Sequence, residues 1–485
     1  MSKNKSDRLC WETVLFFALY TILPNYFALE ISGGLPLLTA SRALLLLLGV
    51  MLVLRSRKVL LDPKRWSLKG LNLLLTEDKP LRWSILIYLG LLLGVNLTFL
   101  LDTSESVKHI FTMVAEQYAL VWMLTLILDT REKLISALRL FFLASGVVAL
   151  IAAASCVADY NLFYLLDTVK REMLQSDYYR LGLLRAAASF NHPVYYGAYC
   201  AVMLPIGMYF VENDKKPWLR LLSAGTMVMN FVGLILSNSR GSILAVGCLA
   251  GILFFLYLWQ KRLKQLFTTY LPIIAVALAV LVLVCCLTPV GLSFLKGVGS
   301  SIAVSVESLL PDVIQQTTKP AATDPNKPAD AVPTQPPMPT TEPEQALDYG
   351  ENANGVHSRL AQFTMIQWTL QQSPITGLGP NAHVRGLVKA QYVEGKWQTL
   401  RTLDMGVVAI VVQFGLLGLL GYAVLYGGVF VSLLSKKHRR DMLTQYLTLA
   451  FVTYLLCQLS ISAVTKWEWV FIGFAASLIN LHNEE

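Results

Sequence analysis

Apolar runs of about 20 residues recur along this 485-residue chain, and they constrain its fold more than any other feature. A run of this length is long enough to cross a hydrocarbon core of about 30 Å as a helix. Backbone groups in lipid must be hydrogen-bonded internally, so a bundle of helices is the default. The composition agrees, because 55% of the residues are hydrophobic, only 15% are charged and the mean hydropathy is +0.54. The sequence therefore predicts an all-α polytopic membrane protein.

The pattern predicts about twelve transmembrane helices. They cover residues 11–29, 35–54, 84–101, 107–128, 134–157, 193–211, 219–237, 241–259, 267–288, 404–434, 442–460 and 467–482. Basic residues concentrate in the loops at 55–69, 215–220, 261–264 and 436–440. The positive-inside rule assigns such loops to the cytoplasm. An even number of spans then places both termini in the cytoplasm, and the net charge of +9 reflects topology rather than nucleic-acid binding.

Three regions follow from this topology. Residues 1–288 form a transmembrane bundle of nine spans, 289–403 form a large extracytoplasmic loop between spans 9 and 10, and 404–485 hold the last three spans. Within the loop, the Pro- and Thr-rich segment 311–350 is predicted to be disordered, because it cannot bury a core. Residues 356–402 are predicted to form a helical cap, since HSRLAQFTMIQWTLQQSP is amphipathic at helical spacing.

The positive-inside rule expects most Lys and Arg residues near the membrane to lie in cytoplasmic loops. Three arginines instead fall on the outer face, namely Arg185, Arg240 and Arg359. A guanidinium offers a rigid fork of donors to phosphate oxygens, so these residues are candidates for binding an anionic group such as a lipid-linked phosphate. For Arg240, in the short SNSRGS turn, the alternative is snorkelling to the interface. Arg359 begins the outer amphipathic helix, where a cation opposes the helix macrodipole, so helix stability does not explain it.

Other polar residues lie near the outer ends of the spans. Asn191 and His192 form a polar turn before the sixth span, for which helix capping is the alternative. His383 and Arg385 follow the glycines of GLGPNAHVR, where the backbone is free to approach a partner closely, although a loop histidine is often structural. Asp404 begins the tenth span, where it either balances the arginine charges or acts as a base.

Some classes of function are disfavoured. The ionisable groups inside the spans are few, namely Arg42, Glu116 and Arg139, whereas an ion-coupled transporter is expected to carry several near the midplane. Six of the seven cysteines lie in apolar stretches, and none has metal-ligand spacing. No metal site and no cofactor site is therefore predicted.

Taken in order, these motifs resemble the O-antigen ligase and O-antigen polymerase family of bacterial membrane glycosyltransferases, over about residues 180–434. The matching positions are Arg185, Phe190, Asn191, His192 and Pro193, then Ser239, Arg240 and Gly241, then Arg359, Trp368, Pro374, Gly377 and Gly379, and finally Gly415 to Gly418. The resemblance implies a GT-C-like bundle whose large outer loop caps a lipid-facing cavity.

The resemblance also implies an activity and a location. The enzyme would be a metal-independent glycosyltransferase that moves a glycan from an undecaprenyl-diphosphate carrier to a glycan or cell-envelope acceptor, at the outer face of the bacterial plasma membrane. The site would comprise Asp404 and His383 as catalytic residues, with a substrate-binding set of Arg185, Arg240, Arg359, Asn191, His192 and Arg385. Arginines would stabilise the leaving diphosphate, and one general base would take the acceptor proton.

One departure from the family pattern concerns the residue type at the start of the tenth span. Ligase members carry a His-Asn pair there, and this chain has Asp404 and Met405. Polymerase members often show Asp, so the chain looks more like a repeat-unit polymerase than a ligase. The alternative class is a polyprenyl-lipid flippase or polysaccharide transporter. Such a protein is expected to have paired halves, and the sequence shows no internal repeat.

Overall fold

The structure is a computed structural model of the chain. It describes residues 8–30, 36–60, 78–100, 104–169, 179–180, 183–288, 291, 355–393, 396–400, 403, 405–435, 438, 440–459, 461 and 466–484. Within these ranges the side chains of 56–60, 355–361, 392–393, 396, 466 and 483–484 are not described. The predicted disordered segment 311–350 lies outside the described residues, and so does Asp404.

Helices make up most of the fold. They are α1 (Trp11–Leu19), α2 (Ala40–Leu60), α3 (Lys79–Thr98), α4 (Ser104–Phe111), α5 (Ala119–Ile127), α6 (Arg131–Val157), α7 (Pro193–Asn213), α8 (Pro217–Leu236), α9 (Arg240–Trp259), α10 (Leu263–Cys286), α11 (Gly355–Gln372), α12 (Gly406–Leu433), α13 (Met442–Cys457) and α14 (Lys466–Glu484). A π-helical segment, Thr112–Tyr118, joins α4 to α5. The predicted all-α polytopic class is confirmed.

Strands are short and occur as antiparallel pairs. They are β1 (Ala28–Leu29) with β2 (Leu38–Thr39), β3 (Tyr179–Arg180) with β4 (Leu183–Leu184), and β5 (Lys389–Val393) with β6 (Lys396–Thr399). The β5–β6 pair begins at Lys389 opposite Thr399.

A helix occurs at each of the twelve predicted span positions. Within the described ranges, eight candidate spans are long and apolar enough to cross a membrane: α3, the continuous segment Ser104–Ile127, α6, α7, α8, α9, α10 and α12. The prediction for residues 11–29 is wrong in length, because α1 ends at Leu19 and the chain then turns around Pro24 before entering β1. Proline lacks the N–H that a continuing helix needs, so the apolar run does not extend as one helix.

The main core fills the centre of the bundle with aromatic rings. Phe17 of α1 stacks on Phe474 of α14, with ring centroids 5.2 Å apart. Phe141 of α6 meets the edge of Tyr199 of α7 at 6.0 Å. All four side chains are fully buried. Because aromatic pairs gain from burial and ring geometry, this cluster holds the first, middle and last helices together.

One end of the bundle, called the basic end, is defined by contacts between helix starts and ends. The side chains of Asp78, Thr130 and Asp441 cap α3, α6 and α13 by accepting backbone N–H bonds. Arg131 pairs with Asp441 at 2.5 Å, and Ser432 donates to Asp78 at 2.6 Å. These contacts bring the ends of four helices to one side, next to the basic loops that the sequence assigns to the cytoplasm.

The other end, called the cap end, carries a second and smaller core. It joins α11 and the following loop to the β5–β6 pair and to the first turns of α12. The buried members are Met365, Ala382, Val388, Ala390, Leu400, Leu403, Met405, Val408, Ala409 and Val412. The prediction that 356–402 is helical is wrong beyond Gln372. Pro374 ends the helix, and the segment after Val388 pairs as two strands because its side chains alternate between core and surface.

The cap is fastened to the bundle by an exchange of backbone hydrogen bonds at Gly415. There α12 is interrupted, with φ 63° and ψ −155°. The loop after α11 takes the place of the missing helical partners. The bonds are Leu378 N to Val412 O at 2.8 Å, Gly379 N to Gln413 O at 3.1 Å, Leu416 N to Pro374 O at 2.9 Å and Leu417 N to Ile375 O at 3.1 Å. Buried backbone groups must be paired, so the loop and the interrupted helix depend on each other.

We expect Gly415→Ala to destabilise the protein. The backbone conformation of Gly415 is almost restricted to glycine, which costs any other residue about 1–3 kcal/mol. In addition, a Cβ at this position would lie 2.5 Å from the backbone nitrogen of Gly377. The matched control is Gly427→Ala in the same helix, where a Cβ meets nothing within 4 Å. Thermal unfolding in detergent should show a lower melting temperature for Gly415→Ala alone, and equal melting temperatures would contradict this account of the exchange.

Candidate functional site

The guanidinium of Arg185 binds the end of α8. Its Nε donates to the carbonyl of Ser237 at 2.9 Å, and its Nη2 donates to the carbonyl of Asn238 at 3.4 Å. Carbonyls at a helix C-terminus lack helical partners and carry partial negative charge, so they attract a cation. Arg185 is thus held against the turn of residues 237–242, called the arginine turn, which also carries Arg240.

The arginine turn is compact and buried. Asn238 has a left-handed backbone with φ 47°, and the hydroxyls of Ser239 and Ser242 are 2.9 Å apart. Gly197 of α7 packs against it so closely that a Cβ there would lie 2.5 Å from Ser237 Oγ. Arg240 is the first residue of α9 and is half-buried. Its charge therefore adds to the partial positive charge of the helix N-terminus, a combination that favours an anion.

Asn191 and His192 lie where α7 begins. His192 is the N-cap, and its Nδ1 accepts the backbone N–H of Val194 at 3.1 Å. The structure therefore gives His192 the capping role that the sequence analysis held as the alternative. Asn191 is half-buried beside it.

The last turn of α13 links the arginine turn to the start of α12. The thiol of Cys457 is near the side chain of Ser242, and the carbonyl of Gln458 accepts the backbone N–H of Gly406 at 3.1 Å. Gly406 is the first residue of α12 and follows Asp404 by two positions. The start of α12, where the sequence places Asp404, is therefore adjacent to the last turn of α13, which lies beside the arginine turn.

His383 and Arg385 lie in the cap loop. The Nδ1 atom of His383 is buried without a hydrogen-bond partner among the described residues. Burial lowers the pKa of His383 below its usual value, because it disfavours the charged ring, and therefore favours neutral imidazole. Arg385 donates from Nη2 to the carbonyl of Leu378 at 2.6 Å, which holds its guanidinium against the loop backbone.

A polar group near the cap loop was not predicted from the sequence. Asn381 donates to Glu105 at 2.8 Å, and Glu105 also binds Lys108 at 2.8 Å. The backbone N–H of Asn381 bonds to the side-chain oxygen of Gln413 at 3.1 Å. The only signal in the sequence was the spacing of Glu105 and Lys108 by three positions at a helix start, which is typical of a local ion pair.

The candidate residues thus fall into two groups by the contacts that the structure describes. Arg185 binds the arginine turn, which carries Arg240 and packs against α7, the helix that His192 caps directly after Asn191. His383 and Arg385 lie in the cap loop. Both groups lie at the cap end. The side chain of Arg359 is outside the described part. Its backbone belongs to α11, which begins four residues earlier at Gly355, so Arg359 does not begin the helix as the sequence predicts.

The ionisable groups inside the spans are more numerous than the sequence analysis stated. Arg42 pairs with Glu116 at 2.6 Å, and Arg139 binds Asp214 through two bonds of 2.6 and 2.7 Å. These arginines are therefore structural partners of carboxylates. The sequence analysis left out Glu12, Lys108 and Glu468, which also fall within predicted spans. Of these, Glu468 is only 1% exposed.

Comparison with known proteins finds one family that part of the chain resembles. Residues 225–423 match the model of a family described as O-antigen ligase, and the matched segment contains the arginine turn, the cap and the interrupted part of α12. No curated protein matches the chain. Members of this family are ligases and other glycosyl-transferring enzymes. The predicted resemblance is therefore confirmed over residues 225–423, which are similar to the O-antigen ligase family, and the chain is a multi-pass membrane protein.

Proposed function

We propose that the protein transfers or polymerises a glycan carried on undecaprenyl diphosphate, at the outer face of the bacterial plasma membrane. The observation that carries this proposal is the contact of Arg185 with the turn that bears Arg240. Two guanidinium groups beside a helix N-terminus suit a diphosphate, because each offers a fork of charged donors. The family match over the arginine turn supports glycosyl transfer as the reaction.

The reaction needs charge stabilisation on one side and a base on the other. The bond between the anomeric carbon and the diphosphate oxygen breaks, and the acceptor oxygen forms a new bond to that carbon. Arg185, Arg240 and Arg359 would stabilise the negative charge on the leaving undecaprenyl diphosphate without a metal ion. The acceptor hydroxyl proton would pass to Asp404 or to the neutral ring of His383.

The orientation is also a proposal. The loops rich in Lys and Arg connect helices at the basic end, for example between α7 and α8. The positive-inside rule then assigns the basic end to the cytoplasm and the cap end to the outside. On this basis the arginine turn, the start of α12 and the cap would all face the outer surface, where a glycan acceptor is available.

An apolar groove below the arginine turn supports a lipid donor. The groove has a volume of about 250 Å³ and lies between α7, α8, α9 and α10. Val246 lines its upper part, six residues after Arg240, which is about 9 Å along a helix. Phe267 and Leu271 line it and are more than half exposed, so the groove opens toward the bilayer. We assign it to the isoprenoid chain of the donor whose diphosphate is at Arg240.

The groove assignment predicts a dependence on chain length. Ala250→Phe should fill the groove and raise KM for an undecaprenyl donor about ten-fold, which corresponds to about 1.4 kcal/mol of lost apolar contact. A geranyl-diphosphate donor should be unaffected, because its chain is too short to reach Ala250, which is ten residues or about 15 Å along α9 from Arg240. The matched control is Cys248→Phe, which is exposed on the same helix but does not line the groove. Equal KM changes for the two donors, or for Ala250→Phe and Cys248→Phe, would contradict the assignment of the groove to the isoprenoid chain.

The proposed reaction is tested with purified protein and an undecaprenyl-diphosphate-linked oligosaccharide. A ladder of glycans, with release of undecaprenyl diphosphate, is expected for a repeat-unit polymerase, which the Asp at position 404 favours. A single addition to a separate acceptor would identify a ligase instead. No new glycosidic bond with any lipid-linked donor would contradict both.

A further inference from the structure

The chain between Arg185 and α7 contains a strained turn that the reaction above does not use. The backbone N–H of Phe190 donates to the carbonyl of Ala187 at 3.0 Å, which closes a turn of four residues. Ala188, the second residue of this turn, has a φ of 52° and is 1% exposed. Glycine is the usual residue in this left-handed region, because a Cβ makes it costly. A buried alanine therefore needs other contacts to hold it there.

The contacts that hold the turn converge on the carbonyl of Ala188. The side-chain Nδ2 of Asn161 donates to it at 3.1 Å, and the hydroxyl of Tyr26 donates to it over a longer 3.4 Å. Both side chains are buried. A negative φ at Ala188 would change the path of the turn and the direction of this carbonyl, so both bonds would break. Because losing a buried hydrogen bond is costly, the two donors oppose relaxation of the turn.

Asn161 is itself fixed on another element. It is the N-cap of the 3₁₀ turn Leu162–Leu166, where its Oδ1 accepts the backbone N–H of Phe163 at 3.3 Å. This 3₁₀ turn packs against Tyr26, since the rings of Tyr164 and Tyr26 are 5.7 Å apart. The two donors therefore form one buried unit, contributed by the loops that follow α1 and α6.

The strained turn connects two parts of the candidate site. On one side, Arg185 donates to the carbonyl of Ser237 at 2.9 Å, which fastens the chain to the arginine turn. On the other side, Asn191 comes three residues after Ala188, directly before the N-cap of α7. The conformation of Ala188 therefore sets how far Asn191 lies from Arg185. Strained residues persist where the surrounding structure fixes them, and they cluster at functional sites.

We propose that Asn161, aided by Tyr26, is a positioning residue for the donor diphosphate. Its amide holds Ala188 in the left-handed conformation. The turn fixed in this way holds Arg185 and Asn191 at the spacing that the diphosphate needs. The catalytic part of this inference rests on the proposed function, because the spacing matters for turnover only if a diphosphate binds there.

Asn161→Ser removes the bond to Ala188 and leaves the cap in place. Serine is as good an N-cap as asparagine, but its side chain is shorter and does not reach the carbonyl. We expect kcat/KM for the undecaprenyl-diphosphate donor to fall about ten-fold, since small displacements of binding groups slow transfer. Tyr26→Phe keeps the ring and loses only the longer bond, so kcat/KM should fall about three-fold.

Ala188→Gly tests whether Asn161 acts through the turn. Glycine adopts a positive φ without strain, so the turn should no longer depend on the amide of Asn161. The double variant Asn161→Ser/Ala188→Gly should therefore recover most of the lost kcat/KM, and Ala188→Gly alone should match the wild type. A loss that Ala188→Gly does not restore would overturn the proposal, and so would wild-type kcat/KM in both Asn161→Ser and Tyr26→Phe.

The matched control is Asn230→Ser. Asn230 is also a buried asparagine, but its described hydrogen bonds go to Ser145 at 2.8 Å and to Thr226 at 2.9 Å rather than to the strained turn. Its melting temperature should fall, whereas its kcat/KM should remain that of the wild type. Equal losses of kcat/KM in Asn161→Ser and Asn230→Ser would overturn the proposal, because a general loss of stability would then explain both.

Hydrogen exchange separates this inference from the proposed function. The backbone N–H of Phe190 reports on the turn, because it donates to Ala187 at 3.0 Å. Asn161→Ser should speed its exchange in detergent, and adding Ala188→Gly should slow it again. Unchanged exchange in Asn161→Ser would overturn the positioning role, whatever the turnover. Faster exchange in Asn161→Ser, when the wild type transfers no glycan from any lipid-linked donor, would overturn the proposed function and leave the role of Asn161 in the turn standing.

Discussion

Arg240→Ala is expected to lower the rate of glycan transfer by about 10²–10³-fold, the usual cost of removing one donor that stabilises developing charge. Arg240 is the first residue of α9, and Arg185 holds the turn that carries it. Arg240→Lys should recover only part of the rate, because an ammonium group lacks the planar fork that matches a diphosphate. The measurement is kcat with a labelled undecaprenyl-diphosphate-linked donor.

The matched control for Arg240→Ala is Arg220→Ala. Arg220 lies at the opposite end of α8, where its Nε donates to the carbonyl of Asp214 at 2.6 Å. Arg220→Ala removes the same charge from the same pair of helices but at the end away from the arginine turn. The variant should therefore retain nearly wild-type kcat. An Arg240→Ala protein with a wild-type melting temperature and wild-type kcat would contradict the role of the arginine turn.

Asp404→Asn is expected to lower kcat by about 10²–10⁴-fold if the carboxylate accepts the acceptor proton. The amide keeps the shape and removes the basicity, so KM for the lipid donor should change little. If Asp404 instead balances the arginine charges, Asn should alter the donor KM and leave kcat almost unchanged. Comparing the change in kcat with the change in donor KM therefore distinguishes a base from a residue that balances the arginine charges.

Asp159→Asn is the control for this carboxylate. Asp159 is exposed after α6, at the same end of the bundle, and its side chain accepts a hydrogen bond from Tyr179 at 3.0 Å. It should show wild-type kinetics. Full activity in Asp404→Asn would remove the base role and leave His383 as the candidate.

The helices were predictable because each is a local property of the chain. Apolar runs mark α3, α6 and α12, and a capping residue such as Thr130 marks where one begins. The interruption at Gly415 was not predictable, because the apolar run continues through it without a proline. Its cause is the loop that begins at Pro374, some forty positions earlier, and that contact exists only in three dimensions.

The candidate site was predictable only in part, for the same reason. The short SNSRGS turn restricts where Arg240 lies, so the sequence already places it at a helix start. The contact of Arg185 with Ser237 requires the packing of α7 against α8. The contact of Gln458 with Gly406 requires the packing of α13 against α12, and neither residue is recognisable from the sequence as part of such a contact.

The most direct test of the central claim is a reconstitution that follows two events in the same vesicles. Purified protein is placed in liposomes with an undecaprenyl-diphosphate-linked oligosaccharide, and both new glycosidic bonds and movement of the labelled lipid between leaflets are recorded. The account predicts glycan transfer that depends on Arg240, without an increase in lipid movement. Lipid movement that depends on Arg240, with no new glycosidic bond, would contradict the account and identify a flippase.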